Sequence, residues 1–168
     1  DALSDFLKSD VYVVFGSSYI KGDLVDFLVK NKAINIHLGV CPYYRGTDCN
    51  FWALYDNNPH YVGATIHYLS KRIDSGKILF HVLPSIKYKS DFDFTMSSVL
   101  SAQKALISRI KNKSIFKLKS YSQDKKKLIR YSKIKDFNIS IKEKYFKKKS
   151  FTSPKYNNKF YINPHFES

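Results

Sequence analysis

Short apolar runs alternate with helix-like segments along the first two thirds of the chain, and this alternation limits the possible folds more than any other feature. The first run, residues 11–15, is continuously apolar and ends at Gly16, which is typical of a buried parallel strand followed by a turn. Strands that alternate with helices predict an α/β domain with a largely parallel sheet. The predicted strands are residues 11–15, 33–38, 61–69 and 76–83, and the predicted helices are residues 1–9, 22–30, 51–56 and 94–113.

Three polar side chains lie where predicted strands end. Asn35 and His37 are two residues apart near the end of the second strand, so the strand's period of two points both side chains to one face. Asp74 follows the third strand and opens a turn. Because ligands bind beyond the carboxyl ends of strands in open α/β sheets, this is the expected place for a functional site.

An amide, an imidazole and a carboxylate form a set of groups that can transfer protons. Asn35 can donate to a developing oxyanion, and His37 can move a proton near neutral pH. Asp74 can orient the imidazole and stabilise its charged form. The alternative is that the Asn-x-His spacing is accidental and that His37 is an ordinary polar residue at a strand end. These three residues alone leave both interpretations open.

Four sequence blocks relate these residues to a known family. In their order and spacing they resemble the folate-dependent formyltransferases, which include the glycinamide ribonucleotide, methionyl-tRNA and sugar-nucleotide N-formyltransferases. The resemblance implies a Rossmann-like formyltransferase fold with a mostly parallel sheet, and it places the catalytic Asn, His and Asp of the family at Asn35, His37 and Asp74. The blocks are residues 35–46 (NIHLGVCPYYRG), 51–54 (FWAL), 62–67 (VGATIH) and 73–79 (IDSGKIL).

The same resemblance implies a co-substrate, N10-formyltetrahydrofolate, and no metal. On the acceptor side it points to Arg45 and Trp52. Arg45 can hold either a phosphate or its own loop, and Trp52 is compatible with simple packing of a helix onto the sheet. His67 is interpreted as a structural strand histidine. The residues that the resemblance implies for folate binding are Phe15, Gly16, Ser17, Tyr19, Ile20, Ser70 and Ile73, of which Phe15 and Ile20 are also candidates for the core.

The preferred acceptor is a primary amine on a nucleotide-linked sugar, because residues 43–52 resemble the sugar-type members of the family. Methionyl-tRNA and glycinamide ribonucleotide are the alternatives, although only about 50 residues follow the core, too few for a folded tRNA-binding domain. A βαβ segment precedes the matched blocks in the family. The chain is therefore expected to hold the downstream part of the catalytic core over residues 1–114, followed by a basic, partly ordered extension over residues 115–168. A homodimer is possible because sugar-type members often dimerise.

Charge is concentrated in the predicted extension. The net charge is +15; residues 1–114 carry 14 basic and 10 acidic side chains, whereas residues 115–168 carry 15 and 4. One alternative function is therefore a basic nucleic-acid-binding module on an inactive formyltransferase-like fold, and the simplest explanation is a solvated, lysine-rich surface. From residue 145 onward, little packing is expected.

The cysteines and the hydropathy pattern exclude several classes. Cys41 and Cys49 are eight residues apart and match neither a zinc motif nor a disulfide framework, so reduced thiols and a cytoplasmic location are expected. Apolar runs stay well below the roughly 18 residues that a membrane span requires, and we expect no membrane partner.

Overall fold

In the computed structural model, residues 8–85, 87–148 and 154–167 are described, and they form a five-stranded sheet with helices packed against it. The strands are β1 (Val13–Val14), β2 (Ile34–His37), β3 (Tyr44–Gly46), β4 (Ala64–Tyr68), β5 (Ile78–Leu83), β6 (Arg130–Ser132) and β7 (His165–Phe166). The order in the five-stranded sheet is β1-β2-β4-β5-β7, and β3 and β6 pair separately.

Strand pairing confirms the α/β class and shows a mixed direction within the central sheet. The pairs β1–β2, β5–β7 and β3–β6 are parallel, whereas β2–β4 and β4–β5 are antiparallel. The connection between β4 and β5 is residues 69–77, which is a turn and too short for the crossover that a parallel pair requires. The Asp74 turn is therefore the end of an antiparallel hairpin.

The helices follow the predicted segments closely, and the helix predicted over residues 22–30 is confirmed. The longest helix begins after Ser90, whose side chain accepts a hydrogen bond from the Asp93 N–H at 3.1 Å, as a helix N-cap does. Its buried face, which includes Ala102 and Leu106, packs on the sheet. The helix predicted over residues 1–9 lies mostly outside the described residues. The α-helices are α1 (Gly22–Lys30), α2 (Cys49–Tyr55), α3 (Asp91–Lys111) and α4 (Ile139–Phe146), with short 3-10 helices at Pro59–Tyr61, Ser114–Lys117, Lys125–Lys127, Ile134–Asp136 and Asn158–Phe160.

The C-terminal residues pack against the core, and the prediction of little packing after residue 145 is wrong for residues 154–167. Strand β7 extends the central sheet beside β5, and the Tyr161 side chain is buried. His81 on β5 explains the attachment: its Nδ1 accepts the Ile162 N–H at 2.8 Å, and its Nε2–H donates to the Cys41 carbonyl at 2.8 Å. Buried aromatic side chains such as that of Tyr161 contribute apolar surface to the core, although the composition of the segment is dominated by lysine.

Across the described residues, every helix is too short or too polar to cross a bilayer.

Candidate functional site

The structure brings the side chains of Asn35, His37 and Asp74 together. Strand β2 points both Asn35 and His37 into one cavity, as the period of two predicts. The hairpin turn after β4 places Asp74 beside them, with its Oδ1 3.3 Å from the His37 Nδ1. Residues far apart in sequence therefore form one cluster of an amide, an imidazole and a carboxylate.

The Asp74 carboxylate is held by the backbone around it. Asp74 has a left-handed backbone conformation with φ of +46°, and its Oδ2 accepts the Gly46 N–H at 3.0 Å. Gly76 makes this turn possible because a Cβ there would lie 1.6 Å from the Tyr68 carbonyl oxygen. Burial by itself would raise the pKa of Asp74, but the charge and hydrogen bond of His37, with the Gly46 N–H, lower it to about 2.

The His37 ring has a protein partner at each nitrogen. Its Nδ1 faces Asp74, and its Nε2 is 3.1 Å from the Tyr44 carbonyl oxygen. Burial alone would lower the pKa of His37, but the neighbouring Cys41 and Asp74 side chains raise it well above the ordinary value of 6.5. A carboxylate and a carbonyl oxygen face the two ring nitrogens, an arrangement that favours the charged imidazolium at this position.

His67 is closer to the site than its interpretation as a structural histidine suggests. Its Nδ1–H donates to the Tyr68 carbonyl at 2.8 Å, so its Nε2 accepts an N–H from the Asn35 amide at 3.1 Å. Burial lowers the pKa of His67 to about 4, so the ring is neutral and its Nε2 can accept the Asn35 hydrogen bond. One Asn35 N–H is thereby fixed, and the second can point to a ligand. The contact depends on the pairing of Asn35 with His67 across strands β2 and β4, a register that the sequence does not reveal.

A cavity of about 510 Å³ lies directly beside this cluster. Its lining includes the apolar side chains of Phe15 and Ile20 together with residues of the hairpin turn. A flat, partly apolar ring system with polar edges fits such a surface. All seven residues that the resemblance implies for folate binding lie on this cavity: Phe15, Gly16, Ser17, Tyr19, Ile20, Ser70 and Ile73.

A further part of the cavity wall comes from the predicted extension, which sequence reasoning did not include in the site. Strand β6 pairs with β3 and brings Tyr131, Ser132, Lys133 and Ile134 onto the cavity. Residues 120–137 resemble a stretch that follows the core in sugar-type formyltransferases, but this similarity is too weak to predict a place in the site. Local patterns do not predict a parallel pairing between strands about 86 residues apart.

Arg45 and Trp52 lie outside the cavity wall. Arg45 donates from its Nη2 to the Ile73 carbonyl at 2.5 Å, so it holds the loop, the second of its two predicted roles. Trp52 is 2% exposed and lies in the core, with the Arg130 guanidinium 4.4 Å above its ring. Such burial agrees with packing of the helix onto the sheet, and the acceptor-side role of Trp52 stays a prediction.

Among the described residues, no group of three or more His, Cys, Asp or Glu side chains is placed to hold a metal ion.

Comparison with known proteins gives one family match. The family model described as formyl transferase matches residues 2–111. Among solved structures, the chain is similar to the formyltransferase PseJ from Anoxybacillus kamchatkensis in complex with UDP-4,6-dideoxy-4-formamido-L-AltNAc and tetrahydrofolate, with 26% identity and a TM-score of 0.62. This match covers 82% of the chain and 68% of PseJ.

Two further structures share the fold at lower identity. A sugar N-formyltransferase from Shewanella sp FDAARGOS_354 is 24% identical, with a TM-score of 0.60, over 76% of the chain and 50% of that protein. An N-formyltransferase from Helicobacter canadensis, in complex with folinic acid and dTDP-3-aminofucose, is 19% identical with a TM-score of 0.57, over 73% of the chain and 44% of that protein. The chain thus spans between about half and two thirds of these proteins.

Proposed function

The chain belongs to the formyl transferase family, and from that membership we propose that it transfers a formyl group from N10-formyltetrahydrofolate to a primary amine on a nucleotide-linked sugar. The observation that carries the proposal is the convergence of Asn35, His37 and Asp74 at one edge of the 510 Å³ cavity. The PseJ complex, with a formamido sugar nucleotide and tetrahydrofolate bound, supports both the co-substrate and the class of acceptor.

The co-substrate supplies an activated formyl group, and the side chains of this chain stabilise the charge that develops when an amine attacks it. The N–H of Asn35 that is not bonded to His67 donates to the formyl oxygen as that oxygen becomes negative. The His37 imidazolium lies beside the same position and adds positive charge in a buried setting. These interactions are stronger in the transition state than in the ground state, as catalysis requires.

The protons balance through His37. The C–N bond to the acceptor forms while the C–N10 bond breaks, so N10 gains a proton and the acceptor amine loses one. His37 gives its Nε2 proton to N10 by exchanging its bond to the Tyr44 carbonyl, and it recovers a proton from the new ammonium group. Asp74, with a pKa of about 2, is a weak base; it orients His37 and stabilises its charge rather than keeping a proton.

The wall formed by Tyr131–Ile134 is proposed to face the acceptor. Lys133 on this wall and Arg72 on the hairpin turn bring two cationic side chains to the cavity. Positive charge suits the diphosphate of a nucleotide-linked sugar. The ring of Tyr131, 42% exposed, offers a flat surface for a base or sugar ring.

The test is an assay for formamide product by liquid chromatography and mass spectrometry, with N10-formyltetrahydrofolate and UDP- or dTDP-linked amino sugars. We expect product with the unmodified chain and at least about a 100-fold lower rate for Asn35→Ala. His60→Ala, at a histidine away from the cavity, serves as the matched control and should keep the full rate. Failure to bind folinic acid by calorimetry would contradict the proposal as a whole, whereas binding without transfer to any of these sugars would contradict the acceptor class.

A further inference from the structure

We propose that Gln123, in the segment after the family-matched core, is a positioning residue that holds the Asp74 turn in its active geometry. This inference rests on the proposed function and names a residue to which neither the sequence motifs nor the comparisons give a role. Gln123 lies outside residues 2–111, the part matched by the family model.

The Gln123 amide forms a bridge across the turn. Its Nε2 donates one N–H to the Asp74 carbonyl and the other to the Gly76 carbonyl, each at 2.8 Å. These two carbonyls flank Ser75, the residue at the centre of the turn. A single side chain thereby holds the backbone that follows Asp74, the residue whose carboxylate contacts His37.

The turn carries Asp74 in a backbone conformation that is uncommon for residues other than glycine. Its φ is +46°, a left-handed value that Asp and Asn tolerate better than other side chains but that still benefits from fixed neighbouring carbonyls. The Arg45 guanidinium donates a hydrogen bond to the carbonyl of Ile73, the residue before Asp74. Gln123 and Arg45 together satisfy the backbone at both sides of Asp74.

Gln123 is itself placed by a rigid neighbour. Tyr121 forms two backbone hydrogen bonds of 2.8 Å with Ile78 at the start of β5, in an isolated antiparallel bridge. This bridge fixes the chain two residues before Gln123. The Gln123 Oε1 is buried and has no partner among the described residues, so the two N–H donations are what the side chain contributes.

The experiment separates donation of hydrogen bonds from simple filling of space. Gln123→Met keeps the length and most of the volume but removes both donors, and Gln123→Glu keeps the shape while placing a carboxylate against two carbonyl oxygens. Gln103→Met, at the other glutamine of the chain and away from the cavity, is the matched control. Each variant of the full chain is compared by the NMR titration of the His37 ring, by its melting temperature and by formyl transfer.

We expect Gln123→Met to shift the His37 titration toward lower pH, because a displaced Asp74 carboxylate stabilises the imidazolium less, whereas the added charge of Gln123→Glu opposes that shift, so this variant is judged by its loss of transfer. We expect kcat to fall by up to about 100-fold, as small misplacements of a site group do, and Gln103→Met to change neither quantity. A role in packing alone predicts a lower melting temperature with an unchanged His37 titration, and that result would overturn the inference. The titration needs no substrate, so an inactive unmodified chain would contradict the proposed function while the role of Gln123 is still tested.

Discussion

The His37–Asp74 pair makes the most specific prediction about stability. Asp74→Asn removes the negative charge but keeps the shape, and asparagine tolerates the left-handed backbone that position 74 requires. The new amide can still accept the Gly46 N–H. It can also donate to His37 Nδ1, which leaves a neutral His37 ring with its Nε2–H on the Tyr44 carbonyl. The substitution therefore isolates the charge interaction within the pair.

The magnitude follows from the pKa of Asp74. A lowering from the ordinary value of 3.8 to about 2 corresponds to about 2 kcal/mol of folding free energy, since each pKa unit is worth about 1.4 kcal/mol. Because this pKa is lowered by folding, the contribution is complete above about pH 4 and is lost as the pH falls toward 2. The pKa of His37 is raised, so the same ion pair is present below its ordinary value of 6.5 and is lost as the pH rises through the raised value.

The assay is urea unfolding of the unmodified chain and of Asp74→Asn at several pH values. We expect the variant to be less stable by about 2 kcal/mol near pH 6 and the difference to shrink as the pH is lowered toward about 3. Asp26→Asn is the matched control, because Asp26 forms an exposed ion pair with Lys71 that should contribute less than about 1 kcal/mol. A difference for Asp74→Asn that does not change with pH, or that equals the Asp26→Asn value, would refute the charge interaction.

Three further predictions concern the turn, the amide and the acceptor wall. Gly76→Ala should lower the melting temperature measurably and reduce transfer, because its Cβ would collide with the Tyr68 carbonyl; a melting temperature equal to that of the unmodified chain would contradict this geometry. Asn35→Ala should lower kcat by about 100- to 1,000-fold with little change in folinic acid affinity, as measured by steady-state kinetics and calorimetry. Lys133→Ala should raise KM for a nucleotide-linked acceptor by about tenfold, whereas Lys135→Ala, outside the cavity wall, should not; equal effects of the two would argue for a general charge effect.

The parts of the site that lie on one strand or one loop were predictable from the sequence. The period of two in β2 predicted that Asn35 and His37 face the same side, and the family resemblance predicted that Asp74 belongs to the same site; in the structure all three line one cavity. Residues 15–20 and the hairpin turn line that cavity as the resemblance implied. Local periodicity decides the shared face of Asn35 and His37, whereas the family resemblance supplied the place of Asp74 and of the other cavity residues.

The parts that depend on long-range pairing were not predictable. The contact of His67 with Asn35 depends on the register of β2 against β4, and the wall at Tyr131–Ile134 depends on the pairing of β3 with β6. The antiparallel centre of the sheet likewise follows from a short hairpin that apolar runs alone do not distinguish from a crossover. Lysine-rich composition predicted a loosely packed tail, whereas buried Tyr161 and β7 attach residues 154–167 to the core.

Product formation from N10-formyltetrahydrofolate and a nucleotide-linked amino sugar is the most direct test of the central claim, that Asn35, His37 and Asp74 act together in formyl transfer. The account predicts that the unmodified chain forms the formamide and that His37→Ala and Asp74→Ala each reduce its formation severely, while His60→Ala leaves it unchanged. Equal rates in all four proteins would contradict the account.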